Sequence, residues 1–250
     1  MTRVTSVLNQ KGGVMKSNII INLAYGLAKL GNGVLVIDLD QQCNTTSKYL
    51  KNEVPTNKTI TDYFKGEIPN LPIYSTDYNV DLVPASLDLA VATSRVRILD
   101  IKLQKGIEAI KDNYDYILID TNPSITELTF NCIVASDDII IPSTIDHMSF
   151  VGFETTSSVI KDVANAYGRE IPHKLLYTKV NEKMVICKTK IEENKNSGVE
   201  AFETRIRFQS KPVSECTYTE EMVLDTLTDK KIKTGVALDL ENLIQEYMGA

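Results

Sequence analysis

The sequence predicts an α/β fold: a single doubly wound domain over residues 1–250, with a mostly parallel seven-stranded sheet and helices on both faces. Three observations predict it. Short β-rich apolar runs alternate with helix-length amphipathic stretches. A turn containing Gly12 and Gly13 separates the first apolar run from the first amphipathic stretch. Two other apolar runs end in Asp38 and Asp120, and parallel strands place such C-terminal residues along one edge of the sheet.

Strands are expected at residues 3–8, 34–39, 80–84, 116–120, 138–141, 174–178 and 201–206, where apolar and β-branched residues cluster between turn signals. The first helix begins near Lys16. Ile20, Leu23, Ala24, Leu27 and Leu30 recur there at helical spacing, and Gly31-Asn32-Gly33 supplies the stop. From 51 to 79, Pro55, Pro69 and Pro72 interrupt short pieces such as 60–64, so surface excursions are expected. The run 130–134 reads as a packed helix containing Cys132. The last helix, 236–248, carries Leu238, Leu240, Leu243, Ile244 and Tyr247 at roughly helical spacing. Its charges are Asp239, Glu241 and Glu246, with no Lys or Arg, so an anionic bilayer would repel it and packing on the sheet is expected.

Composition narrows the functions available. With 43% hydrophobic and 24% charged residues the chain is an ordinary globular one, and no apolar run approaches a membrane span. The first residues, MTRVTSVLNQ, carry neither a secretory nor a transit pattern, which predicts a cytoplasmic protein. Cys43, Cys132, Cys187 and Cys216 form no CxxC pair and read as reduced thiols. His147 and His173 are too few for a histidine-rich metal site. The net charge of −6 is unevenly spread: residues 171–211 hold nine Lys/Arg against five Asp/Glu, and 212–250 hold three against eight.

The chemistry concentrates in residues 9–17, NQKGGVMKS, between a strand and a helix. Glycines there let backbone N–H groups converge on phosphate oxygens, and the helix N-terminus adds a favourable dipole. Lys16 adds a positive charge, and the Ser17 hydroxyl can ligate Mg²⁺. Asp38, Asp40 and Asp120 stand at strand ends facing the same site, an arrangement suited to orienting water and holding a hydrated Mg²⁺ during phosphoryl transfer.

These motifs resemble those of the ParA/Soj/MinD family of deviant Walker A ATPases. KGGVMKS is similar to the family's KGGVGK(S/T) loop, DLDQQCNTT to its DLDPQGNAT, and YDYILIDTNPS to its YDYILIDCPPS. The resemblance implies a P-loop NTPase fold and a nucleotide loop of Lys11, Gly12, Gly13, Val14, Met15, Lys16, Ser17 and Asn18. Lys11 matches the signature lysine, which reaches a partner's phosphates in an ATP sandwich dimer. Lys16 matches the phosphate lysine and Asp40 the carboxylate that positions attacking water, while Ser17, Asp38 and Asp120 serve the magnesium. Thr178 and Lys179 fall where the family supplies adenine contacts. Met15 departs from the pattern by replacing a glycine. If that position needs φ > 0, a side chain there costs about 1–3 kcal/mol, and its bulk lies beside the phosphates. Gln41 replaces a proline without removing chemistry.

The resemblance further implies ATP and Mg²⁺ as cofactors and an ATP-dependent homodimer that binds DNA without sequence preference through Arg205, Arg207 and Lys211. It also implies a ParB-like partner that stimulates hydrolysis, and association with the nucleoid in plasmid or chromosome partition. Two alternatives remain: a nucleotide-impaired DNA-associated scaffold or regulator, motivated by Met15, and a MinD-like positioning ATPase, which the acidic last helix disfavours.

Overall fold

The computed structural model describes residues 1–89, 101–181, 183–208, 213–216, 219–226 and 235–249. Among them a seven-stranded sheet runs through β1 (Arg3–Val7), β2 (Val34–Leu39), β3 (Tyr74–Ser75), β4 (Asp81–Val83), β5 (Tyr116–Thr121), β6 (Asp138–Ser143) and β7 (His173–Tyr177). The spatial order is β3-β4-β2-β5-β1-β6-β7, parallel except for the β3–β4 pair. The helices are α1 (Lys16–Lys29), α2 (Asn44–Tyr49), α3 (Ile60–Lys65), α4 (Lys102–Glu108), α5 (Glu127–Ala135), α6 (His147–Ala166), α7 (Val185–Asn196) and α8 (Gly235–Gly249).

Side-chain alternation along the strands builds two core layers, one on each face. Leu35, Ile37 and Leu39 of β2, with Ile117 and Ile119 of β5, join the layer that also takes in residues of α3 to α6. Val34, Val36 and Leu118 face the opposite layer, beneath α1 and α8. Burial of both faces is what makes these strands near-continuous apolar runs. Gly26 brings α1 against α8: a Cβ there would lie 2.1 Å from Ile244 Cδ1.

Two expectations are corrected. The predicted strand 201–206 is not one, although Phe202 N and Ile206 N donate to the carbonyls of Leu175 and Tyr177 on β7. Between them the N–H groups of Glu203 and Thr204 donate to the carboxylate of Glu246 on α8, both at 2.8 Å. A side chain from a distant helix thus takes the donors a ladder would need. The seventh strand is instead β3, an antiparallel edge too short to announce itself in the sequence. The stretch 51–79 is also more than a surface excursion, since Ile60, Tyr63, Phe64 and Leu71 enter the main core. There Thr59 and Asp62 form a capping box that starts α3.

The other elements form as their patterns predict. α1 starts at Lys16, and Cys132 is fully buried within α5. α8 buries Leu240, Leu243, Ile244 and Tyr247 in the layer beside α1, whereas Leu238 is exposed. No helix of the described residues is long and apolar enough to cross a membrane. All four cysteines are free and buried.

Candidate functional site

The loop between β1 and α1 emerges at the C-terminal edge of the parallel strands. Gly13 has φ 75° and Met15 φ 71°, so both lie in the left-handed region. Met15 is the residue immediately before α1. The conformation a glycine would adopt freely is therefore imposed on a methionine, at a cost of about 1–2 kcal/mol. Its side chain borders the cleft above the loop and also packs, half-buried, against the core layer beneath α1. Val14 is buried, and its carbonyl accepts a bond from Thr178 Oγ1 at 3.3 Å.

Lys16 is 7% exposed and folds back over the loop, its Nζ donating to the carbonyls of Asn9 at 3.1 Å and Lys11 at 3.4 Å. Burial lowers its pKa, and the nearby charges of Asp120 and Asp40 oppose that shift. Asp38 and Asp120 are register partners on adjacent strands, and both are fully buried. Burial raises both pKa values; Asp120 adds to the rise at Asp38, while a bond from Thr45 moderates the rise at Asp120. Asp38 accepts bonds from the N–H groups of Asp40 and Thr46 and from Thr46 Oγ1. Asp120 Oδ2 accepts from Thr45 Oγ1 at 2.7 Å, and the Ser17 hydroxyl faces the same carboxylate and helps to lower its pKa; among the described residues the buried Oδ1 makes no full hydrogen bond.

Asp40 is almost buried and lines the cleft, where its Oδ1 caps the N–H of Gln42. The cleft holds about 650 Å³ and runs from Gly12, Gly13, Lys16, Ser17 and Asn18 past Asn44 and Lys48 to Met222 and Val223. Lys11 lies to one side. Its Nζ donates to both carboxylate oxygens of Asp146, at 2.7 and 2.9 Å, and to Ser149 Oγ at 2.6 Å. Thr144 Oγ1 also donates to Asp146. Burial alone would raise the Asp146 pKa; the bonds from Lys11, Thr144 and Ser149 reverse this and hold it well below the usual carboxylate range.

The sequence-predicted residues thus divide. The loop residues other than Lys11 and Val14, together with Asp40, border the cleft, with Asp38 and Asp120 buried beneath. Thr178 is buried behind the loop, and Lys179, with φ 53°, is exposed outside the cleft. Arg207, expected as a phosphate contact, is paired within the fold, its side chain 41% accessible. Its guanidinium forms a fork on the buried carboxylate of Asp239, Nε to Oδ2 at 2.8 Å and Nη2 to Oδ1 at 2.6 Å. That pairing neutralises its charge within the fold. Arg205 borders a separate cavity with Lys174 and Lys195, and Lys211 lies outside the described residues.

Several contributors were missed by sequence reasoning. Thr45 and Thr46 fasten α2 to the two buried aspartates. Asn9 joins the loop to β6 by donating to the Pro142 carbonyl and accepting from Lys11 N. Gly152 lets α6 approach, because a Cβ there would sit 3.0 Å from Asn9 Oδ1. The threonines were visible as a TT pair after DLDQQCN; Asp146 and Gly152 carried no local signal.

A protein-family model described as an AAA domain matches residues 2–172. The sporulation initiation inhibitor protein Soj of Bacillus subtilis strain 168 is 32% identical over 166 residues, 64% of this chain and 66% of Soj. A plasmid partition protein from Borrelia burgdorferi B31, solved bound to AMPPNP, superposes with a TM-score of 0.81 at 24% identity, covering 100% of this chain and 99% of that one. Cobyrinic acid a,c-diamide synthase from Mycobacterium smegmatis, solved with an ATP analogue and magnesium, gives a TM-score of 0.76 at 23% identity over 87% of this chain and 92% of that one. At those identities the two solved structures speak to the fold.

Proposed function

The chain belongs to the AAA-domain family of ParA/Soj-like P-loop ATPases, and from that premise we propose that it binds ATP with Mg²⁺ in the cleft over α1 and dimerises around it. The dimer then binds DNA as a partition ATPase. The observation that carries the nucleotide reading is the acidic pair beneath the loop. Among the described residues the buried Asp120 Oδ1 makes no full hydrogen bond, while the Ser17 hydroxyl faces its carboxylate and Lys16 and Asp38 stand beside it, and such an atom suits a bond from magnesium-bound water. The metal would supply charge neutralisation to the transferring phosphoryl group.

Each residue then has a distinct task. The N–H groups of the loop and the start of α1 receive phosphate oxygens, and Lys16 is released from its own loop carbonyls to meet them. Ser17 offers its hydroxyl to the metal, while Asp38 and Asp120 accept from its hydration shell. Asp40, standing in the cleft, orients attacking water. Lys11 lies beside the cleft and serves the partner subunit's phosphates once it leaves Asp146.

For DNA, Arg205 with Lys174 and Lys211 supplies phosphate contacts, and a dimer doubles their number. A ParB-like protein is the expected stimulator, and nucleoid association would follow from DNA binding. The left-handed Met15 favours a second reading, a slow or impaired ATPase acting as a DNA-associated scaffold. Sedimentation with and without Mg²⁺ and ATP, followed by phosphate release, tests both readings. A mass that ATP leaves unchanged overturns the dimer, and dimerisation without turnover selects the scaffold.

A further inference from the structure

β7 is the last strand of the sheet, and residues 201–206 accompany its free edge only in part. Phe202 N donates to the Leu175 carbonyl and Ile206 N to the Tyr177 carbonyl, both at 2.9 Å. The two donors are thus four positions apart, where an evenly spaced parallel ladder sets them two apart. The extra residues leave the edge, and the N–H groups of Glu203 and Thr204 turn to Glu246. Glu203 and Arg205, from this detour, line a cavity of about 400 Å³ that shares no lining residue with the cleft over α1. Tyr177, Ile191 and Phe202 give it a buried apolar and aromatic lining, 4%, 9% and 5% exposed.

Three cations border that lining. Lys174 Nζ stands 5.7 Å from the centre of the Phe202 ring. Burial raises the Tyr177 pKa, and a bond from Asn194 and the charge of Arg205 oppose the rise, so the guanidinium lies near the phenol. Lys195 follows Asn194, whose amide donates to Tyr177 Oη at 3.0 Å. Tyr177 is the acceptor in that bond, and among the described residues its own proton has no acceptor. The exposed carboxylates of Glu200 and Glu203 also line the cavity, yet among the described residues none of the three cations forms an ion pair.

We propose that this cavity binds a small organic phosphate, with the anion on Arg205, Lys174, Lys195 and the Tyr177 hydroxyl and the apolar part against Phe202 and Ile191. A guanidinium with two ammonium groups and a hydroxyl donor suits the three oxygens of a phosphate monoester. The volume is in the range of small-molecule sites, and the mix of apolar lining with a few polar groups is typical of them. Arg205 and Lys174 are also the cations proposed for DNA. A duplex meets them with its backbone from outside, whereas reaching the buried Tyr177 and Phe202 takes a small ligand.

The probe is phenyl phosphate, titrated calorimetrically at low salt into the whole Lys16→Ala chain so that the phosphate loop does not compete. It should bind about tenfold more tightly than inorganic phosphate, because its ring reaches the aromatic lining. In that background Arg205→Gln should weaken phenyl phosphate about tenfold and Tyr177→Phe about fivefold. Lys195→Gln changes an exposed side chain, leaves the fold intact and should cost about threefold. Lys161→Gln, at an exposed lysine outside the cavity, should change nothing. No heat of binding up to about 10 mM overturns the site, as do equal affinities in all three cavity variants and the Lys16→Ala chain. Equal affinity for inorganic phosphate overturns the organic part of the ligand. In a second arm a short DNA duplex replaces phenyl phosphate, and Tyr177→Phe should leave its binding unchanged. A loss as large as that for phenyl phosphate overturns the small-ligand assignment and makes the cavity a seat for a DNA phosphate.

Discussion

In the single chain, Lys11 is held by Asp146: the ammonium meets both carboxylate oxygens, at 2.7 and 2.9 Å. The lysine proposed to serve a second subunit is thus already occupied at home. The pair is half-exposed, with 36% and 48% of the two side chains accessible, so its hold is worth at most about 1 kcal/mol. Asp146→Asn should therefore lower the ATP concentration for half-dimerisation about two- to fivefold in sedimentation at low salt, with the difference shrinking as salt rises. Lys11→Ala should abolish dimerisation. Failure of either outcome would separate Lys11 from the dimer.

Asp40 and Lys16 should separate turnover from binding. Asp40→Ala is expected to retain ATP and the dimer while hydrolysis falls about 100-fold or more, because the role proposed for the carboxylate is to act on water. Lys16→Ala should lose ATP binding. Calorimetric titration beside a phosphate-release assay reads both, and equal affinity losses would make Asp40 a structural residue.

Met15→Gly removes the side chain from a left-handed position and frees the loop to adjust. A misplacement of about 1 Å among reacting groups costs about 100-fold in rate, so turnover should rise by roughly an order of magnitude, with a smaller gain in ATP affinity. Parallel steady-state kinetics check this, and equal turnover in the two proteins would show that the loop accommodates methionine.

Arg205 and Arg207 should behave differently although they are two residues apart. Arg207→Ala leaves the buried carboxylate of Asp239 without its guanidinium and should cost about 2–3 kcal/mol, read as a fall in Tm. Arg205→Ala should leave Tm unchanged, weaken DNA binding and reduce the salt slope by about one. A fall in Tm for Arg205→Ala instead would assign it to the fold.

The buried aspartates predict a pH dependence. Burial raises the carboxyl pKa values of Asp38 and Asp120, so the native state binds more protons than the unfolded chain above the ordinary carboxylate range. Their contribution to stability is full below the unfolded pKa and is lost as pH rises through the folded one. Thermal melts without nucleotide should therefore show Tm falling from roughly pH 5 to pH 8, and Mg²⁺ with ATP or Asp38→Asn should flatten the fall. A Tm that rises across that range would contradict the coupled acidic pair.

Much of this arrangement was legible because it is local. The start of α1, the strand carrying Asp38, the strand carrying Asp120 and the loop between β1 and α1 each follow from apolar period, glycine placement and a strand-terminal carboxylate. The failures were non-local. Residues 201–206 have the composition of a strand, yet two of their N–H groups are claimed by Glu246 from the last helix. The short edge strand β3 exists through its pairing with β4, not through its own two residues.

The sequence by itself determined six of the seven strands, the doubly buried sheet and the glycine turn between β1 and α1, since each is written in contiguous residues whose period or turn chemistry dictates a backbone. Tertiary structure decided which charges are free. Lys11 is captured by Asp146 across 135 positions, Arg207 is paired with Asp239, and Lys48 is spent on the carbonyls of Cys216, Thr219 and Glu221. A charged side chain reads the same in any sequence. Its availability depends on which partner the fold brings within about 3 Å, and that distance is set by packing between elements far apart in the chain.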